Sequence, residues 1–479
     1  MRTQVEGQKM LLGGQWVSRK SVIEVKDPHN QDIIATVPSA SKQDMLNAIE
    51  KAKEGFEISK NLAVHERMTI LNRAANLVEK RQDKLALLIA REGSKVIREA
   101  RKEVERCVHT LRISAEEARR LQGETIPFDQ MPGADHRVGH YYRFPIGIIG
   151  AITPFNDPLN LVAHKIGPAI ASGNAIIVKP ASFTPLSALA LAEIMLEAGL
   201  PPKILTVITG SGSTICDELI SHPDVRMISF TGGLETGTEI SHKAGLKKLS
   251  MELGSNAPTL VMADADIDLA VGSTVSGAFW AAGQNCIGVQ RIFVHESIIN
   301  AFTLQFVART RSYRIGDKLD EKSDMGPLIT EQESQRVEVW VNEALEKGAT
   351  LLCGGRRKGA YFEPTVLTDV PHDCRLAQEE IFGPVVVLVP FHDISAAIRQ
   401  ANNVNYGLQA GIFTSNIELA YKAIHQLDVG GVMINDSSDF RIDAMPFGGV
   451  KGSGLGREGV KSSIQEMTEP KVVCFNLQG

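Results

Sequence analysis

Apolar and polar positions change their rhythm near residue 145. Before that point, apolar residues recur at spacings of three and four over Lys42–Phe56, His65–Arg81 and Val96–Leu121, which predicts a mostly helical segment across 42–121. Gly123–Gly139 is rich in turn formers and predicts a break. Beyond it, short β-rich runs alternate with helical patterns. The runs are Ile146–Ile152, Ala175–Val178, Ile204–Ile208, Met227–Phe230 and Lys248–Leu253, and Pro185–Ala198 is typical of the helices between them. That alternation predicts a parallel sheet with both faces covered by helices. A second series runs from Thr259 to Asn435 and includes Arg291–His295, Thr350–Cys353, Val385–Pro390 and Gly431–Ile434. Two α/β units in one chain place a ligand site in the cleft between them.

The 479 residues are enough for two or three domains with large cores. A net charge of −5 and dispersed basic residues give no electrostatic reason to expect nucleic acid or an anionic membrane as partner. The six cysteines, at 107, 216, 286, 353, 374 and 474, are scattered without a C-x-x-C pair, which argues against a disulfide framework and a zinc site. No metal is expected. Met1–Gln8 is polar and lacks the apolar core of a secretory signal, and no apolar run reaches the ~18 residues of a membrane span. A reducing cytoplasm is the expected location.

Four segments carry candidate chemistry. Cys286 sits among small residues in Gly283-Gln284-Asn285-Cys286-Ile287-Gly288, where a substrate can approach closely. It reads either as a nucleophile or as a core cysteine. Glu252 ends an apolar strand before Gly254, and reads either as a buried general base or as one half of a salt bridge or cap. Phe230-Thr231-Gly232-Gly233-Leu234-Glu235-Thr236-Gly237 is a strand, a glycine turn and a helix start, a weak signal for pyrophosphate binding. Lys179 ends another strand, where α/β sheets bind ligands and where solvated loop lysines also occur.

Taken together and in this order, the segments resemble the aldehyde dehydrogenase superfamily over essentially the whole chain. The resemblance rests on Thr153-Pro154-Phe155-Asn156, the Lys179 strand, Phe230-Thr231-Gly232, Glu252-Leu253-Gly254, Gly283-Gln284-x-Cys286, Glu379-Glu380-Ile381-Phe382-Gly383-Pro384 and Pro446-Phe447-Gly448-Gly449. It implies an α/β fold: a Rossmann-type cofactor domain (1–124 and 144–252), an α/β catalytic domain (253–463) and a small β oligomerisation arm (125–143 and 464–479). It also implies that Cys286 attacks an aldehyde, that the Asn156 side chain and the Cys286 N–H hold the oxyanion, and that Glu252 activates water to hydrolyse the thioester. NAD or NADP is the implied cofactor. Its expected contacts are Thr153, Pro154, Phe155, Lys179, Ala181, Ser182, Phe230, Thr231, Gly232, Gly233, Thr236, Leu253, Gly254, Glu380 and Phe382. Lys179 belongs near the adenosine ribose, Glu380 on the nicotinamide ribose and Phe382 at the nicotinamide side. A homodimer or homotetramer is implied, as is free acid as product, since CoA-acylating relatives generally lack this glutamate.

Two departures change the picture. Ser182 stands where NAD-preferring relatives often carry glutamate, which removes a repulsion against a 2′-phosphate and suggests that NADP is accepted. The substrate pocket looks polar. His164 and Arg441 fall where relatives for hydrophobic aldehydes have aromatics, alongside Asp157, Asn285, Ile287, Phe447 and Arg106. These residues suit a small hydroxylated or anionic aldehyde. Lactaldehyde is the nearest in look, with succinic semialdehyde or sulfo- and phospho-aldehydes as alternatives. The competing reading packs His164 in a helix and pairs Arg441 with Asp439 or Asp443. A non-catalytic, crystallin-like relative is the alternative class.

Overall fold

The structure is a computed structural model, and it describes residues 6–477. The ends of two expected segments, 1–5 of the cofactor domain and 478–479 of the arm, lie outside the described residues.

The helical opening holds with small shifts. Lys42–Ser59, Val64–Lys80 and Ile97–Ala118 are helices, and a further helix, Gln82–Glu92, fills the gap between the second and third. The first is fixed by a capping box: the Ser41 hydroxyl accepts from Asp44 N–H, and Asp44 accepts from Ser41 N–H. The break expected at Gly123–Gly139 instead carries the strand Glu124–Ile126, and the strand Arg137–Pro145 begins inside it. Their polar, turn-rich composition hides the pairing, since both lie in an arm with little buried surface.

Two sheets dominate. The first has eight strands, whose five central members are Lys248–Glu252, Val225–Thr231, Ile148–Ile152, Ala175–Lys179 and Leu205–Val207 in spatial order, all parallel. Chain order runs outward from Ile148–Ile152 in one direction and then resumes beside it with Val225–Thr231 in the other. That reversal is a switch point, where the carboxyl ends of two neighbouring strands open a crevice. Thr153–Asn156 extends from one strand end, and Thr231–Gly233 from the other. Both strands are almost wholly buried, which accounts for their continuous apolar runs.

The second sheet has seven strands, parallel except for its edge strand Thr350–Cys353, and its centre is Val289–His295 beside Ala257–Val261. One expected boundary moves. Gly454–Leu455, assigned from sequence to the catalytic unit, pairs antiparallel with Met251 and Glu252 in the first sheet. The C-terminal strand Thr468–Asn476 pairs along its whole length with Arg137–Pro145. Residues 464–466, expected in the arm, complete the helix Val460–Glu466 instead. Among the described residues, no helix is long and apolar enough to cross a membrane.

Candidate active site

Cys286 comes after a tight turn that ends the helix Ile267–Phe279. Ala281, Ala282 and Gly283 take successive left-handed conformations, with φ of 49°, 57° and 72°. Such a run costs energy for alanine and must be held from outside. Glu99 does part of this by accepting the Ala281 N–H at 3.1 Å, and burial pushes the Glu99 carboxyl up to about 7. Gln284 does the rest, donating to the Ala281 carbonyl at 2.9 Å and accepting from Ile329 N–H at 2.9 Å. Gly283 cannot be replaced, because a Cβ there would lie 2.1 Å from the Gly383 carbonyl oxygen.

The turn delivers Cys286 to a cavity of 490 Å³, which Asn156, Glu252 and Thr231 line from the first sheet. Among the described residues, the Cys286 N–H and the Asn156 side chain have no hydrogen-bond partner, so two donors are free beside the thiol. Burial pushes the thiol up to about 12, with Arg441 pulling the other way. Glu252 is buried, and neither carboxylate oxygen has a partner. Burial first, and Glu458 second, raise its pKa well above the usual carboxylate range. The salt-bridge or cap alternative for Glu252 therefore fails.

The expected substrate residues divide. Asp157, Asn285, Ile287, Arg441, Phe447 and Arg106 line the cavity, but His164 does not. It is fully buried behind it, where Nε2 meets Asp443 at 2.8 Å. The helical-packing reading of His164 is right, and its place in the pocket is withdrawn. Arg106 is held by Asp157 at 3.1 Å and Asp443 at 2.8 Å, so its charge is compensated within the protein. Arg441 pairs with neither Asp439 nor Asp443. Its guanidinium lies 3.7 Å from the centre of the Phe447 ring and 3.5 Å from Glu458. The side chain is 7% exposed, yet Nε and Nη2 lack hydrogen-bond partners.

Several site residues escape a reading of the sequence. Lys165 and Glu458 form a fully buried ion pair, and Glu458 is part of the cavity lining. Burial alone would push Glu458 up, but Lys165, Arg441 and His164 outweigh it and hold the carboxyl down at about 2. A lysine inside the apolar run Leu161–Ala171 was the available signal. Lys95 bridges Glu103 and Asp157, and Asp436, Asp439, Lys102 and Trp280 complete the cavity wall.

The residues along the carboxyl edge of the first sheet fit a dinucleotide. The helix Leu234–Ala244 starts at Gly233 with no side-chain cap, and a Cβ on Gly233 would meet nothing within 4 Å. Open N–H groups at a helix start suit an anion such as a diphosphate. Gly237 packs on Leu253, Gly232 on the Phe230 ring, and Thr236 is exposed in the helix's first turn. The buried Thr153 and Thr231 hydroxyls are without partners. Lys179 is buried and forms no hydrogen bond or ion pair among the described residues, and burial lowers its pKa. Beyond it, Ala181 is half-buried and the Ser182 hydroxyl donates to the Gly210 carbonyl at 3.1 Å. Pro154 and Phe155 are half-buried, and Phe155 meets Phe382 edge-on at 5.7 Å. Glu380 accepts from Ser255 N–H at 2.9 Å, close enough to Gly254 that a Cβ would meet its carboxylate at 2.2 Å. With Phe382 it lines a recess that shares Asn285 with the main cavity.

A doubly wound nucleotide-type sheet, joined at a cavity to a second unit that presents a thiol, defines a nucleotide-dependent oxidoreductase. The chain belongs to the aldehyde dehydrogenase family, whose match covers residues 16–473. It is an NAD(P)-dependent member of that family. It is 51% identical over 457 residues to aspartate-semialdehyde dehydrogenase 1 of Pseudomonas canavaninivorans, covering 95% of this chain and 97% of that one. It is 44% identical to 3-sulfolactaldehyde dehydrogenase of Priestia aryabhattai over 99% of both chains. It is 41% identical to lactaldehyde dehydrogenase of Methanococcus aeolicus over 98% of this chain and 100% of the other. Among solved structures, aldehyde dehydrogenase 21 from Physcomitrella patens in complex with the reaction product succinate matches with a TM-score of 0.97, at 38% identity and full coverage of both chains. Glyceraldehyde-3-phosphate dehydrogenase GapN from Methanocaldococcus jannaschii complexed with NADP matches with a TM-score of 0.92, at 41% identity over 96% and 100% of the two chains.

Proposed function

We propose that the protein oxidises a small aldehyde bearing an anionic group to the free carboxylic acid, with Cys286 as nucleophile and Glu252 as the base that activates water. The observation that carries the anionic class is Arg441, a buried guanidinium in the same cavity as the thiol, whose Nε and Nη2 make no hydrogen bond and whose ion pair to Glu458 is long at 3.5 Å. A carboxylate or sulfonate would supply the acceptors that the protein withholds. The relatives named for aspartate semialdehyde and sulfolactaldehyde, and the structure with bound succinate, agree with that class.

In this reading, the Cys286 thiol gives up its proton to solvent, and the thiolate sulfur adds to the aldehyde carbon while Asn156 and the Cys286 N–H receive the negative oxygen. When bound, the nicotinamide would supply the acceptor for the hydride that the adduct carbon loses on going to a thioester. Glu252 then removes a proton from water, the hydroxide adds to the thioester, and the C–S bond breaks, with the sulfur taking the proton back from Glu252 to restore the thiol. Lys179 and Ser182 hold the adenosine end, the start of the helix Leu234–Ala244 the diphosphate, and Glu380 and Phe382 the nicotinamide end. The two sheets act as cofactor and catalytic domains, and the β arm joins subunits into a dimer or tetramer.

The test is a panel of succinic semialdehyde, 3-sulfolactaldehyde, lactaldehyde and benzaldehyde, monitored through reduced cofactor. An anionic member should have the highest kcat/KM, and best turnover of benzaldehyde would sink the reading. The base role is tested separately. Glu252→Gln should give one burst of reduced cofactor and then stall at the thioester, whereas normal steady turnover would remove Glu252 from that role.

A further inference from the structure

The helix Ile97–Ala118 reaches both halves of the site. Glu99 and Glu103 stand four residues apart on one of its faces, about 6 Å along the axis, and both are buried. Neither lines the cavity. Glu99 accepts the Ala281 N–H at 3.1 Å and so holds the turn that delivers Cys286. Glu103 accepts the N–H groups of Leu159 and Asn160 at 2.8 and 3.1 Å. Those amides open the helix Asn160–Ala171, which has no side-chain cap of its own, and they follow Asn156 by three and four residues. Lys95 lies 2.7 Å from Glu103 and also binds Asp157, the neighbour of Asn156. Arg106, farther along the same helix, takes the other oxygen of Asp157 at 3.1 Å. The loop that carries Asn156 is therefore clamped at Asp157, Leu159 and Asn160. Buried carboxylates are costly, and apolar side chains would pack two helices together at less cost. Charge-assisted hydrogen bonds fix a loop in direction as well as distance, which apolar packing does not.

Resting on the proposed roles of Cys286 and Asn156, we infer that this one helix sets the spacing between nucleophile and oxyanion donor. Glu99 is the positioning residue for Cys286. Glu103, with Lys95, is the positioning residue for Asn156. The nucleophile comes from one sheet's unit and the oxyanion donor from the other's, so a single rigid element that grips both holds their separation fixed. A small error in that separation is expensive, because the oxyanion must meet its donors while the sulfur is still bonded to the same carbon.

Glu103→Gln removes the charge that meets Lys95 and should lower kcat/KM for the aldehyde at least about tenfold, with the KM for cofactor unchanged. In an Asn156→Ala background the same change should cost less than about twofold, because the residue it positions is gone. Glu103→Asp, which keeps the charge and shortens the reach, provides the same readout should the first variant fold poorly. Alkylation of Cys286 by iodoacetamide, followed by peptide mass spectrometry, should keep its wild-type rate in Glu103→Gln and slow at least about threefold in Glu99→Gln. No loss of kcat/KM in Glu103→Gln, the full loss repeated in the Asn156→Ala background, or an unchanged alkylation rate in Glu99→Gln would each overturn this inference and leave the catalytic roles standing. Wild-type turnover by Asn156→Ala would overturn the oxyanion role itself, and the inference with it.

Discussion

Around Cys286, the proposed chemistry depends on groups that are left short of partners. The donors on Asn156 and on the Cys286 backbone make no hydrogen bond among the described residues, so in the proposed mechanism their value appears when an oxyanion forms between them. Asn156→Ala should therefore lower kcat/KM by the equivalent of about 2.7–4 kcal/mol while leaving cofactor affinity nearly unchanged. An unaltered rate would remove Asn156 from the site. The thiol and Glu252 share another property: burial is the largest influence on each, and it favours the protonated form. Both must lose a proton to act, so lower pH holds them inactive. Activity should climb as pH rises from about 6 to about 9, and a profile flat across that range would contradict the proposed roles.

At the scale of elements, the proposed reading puts cofactor choice in the loop that leaves the strand Ala175–Lys179. The Ser182 hydroxyl turns to the Gly210 carbonyl, and no carboxylate stands at that position to repel a 2′-phosphate. Ser182→Glu should cut kcat/KM with NADP at least about tenfold and affect NAD much less. A wild-type preference for NAD of about a hundredfold would already contradict the NADP reading. The turn Trp280–Gly283 works in the opposite way. Its left-handed alanines are imposed by Glu99 and Gln284, residues that never touch substrate in the proposed mechanism but decide where the sulfur sits.

Across the whole molecule, the β arm is the part with the least reason to exist alone. Thr468–Asn476 and Arg137–Pro145 pair fully, and Val138, Tyr142, Phe144, Val472 and Phe475 remain exposed on them. An open strand edge with exposed apolar residues is stabilised by a partner chain. Deleting residues 468–479 should convert an oligomer to smaller species in size-exclusion chromatography with light scattering. A wild-type protein that runs as a monomer would remove this role from the arm.

The sequence by itself determined the α/β class, the two sheets and the three proposed reacting groups. Buried parallel strands must be written as short apolar runs, and Cys286, Asn156 and Glu252 stand in local motifs that read without knowing their neighbours. Where charges find each other was decided only by the tertiary structure. Arg441 meets Glu458 and Phe447 rather than the nearby aspartates, His164 turns to Asp443 across 279 residues of chain, and Gly454–Leu455 joins the sheet of the other unit. Strand and helix periodicity are local properties. The pairing of one buried charge with another depends on which distant segments the folded chain brings within a few ångströms, and neither partner's sequence neighbourhood carries that distance.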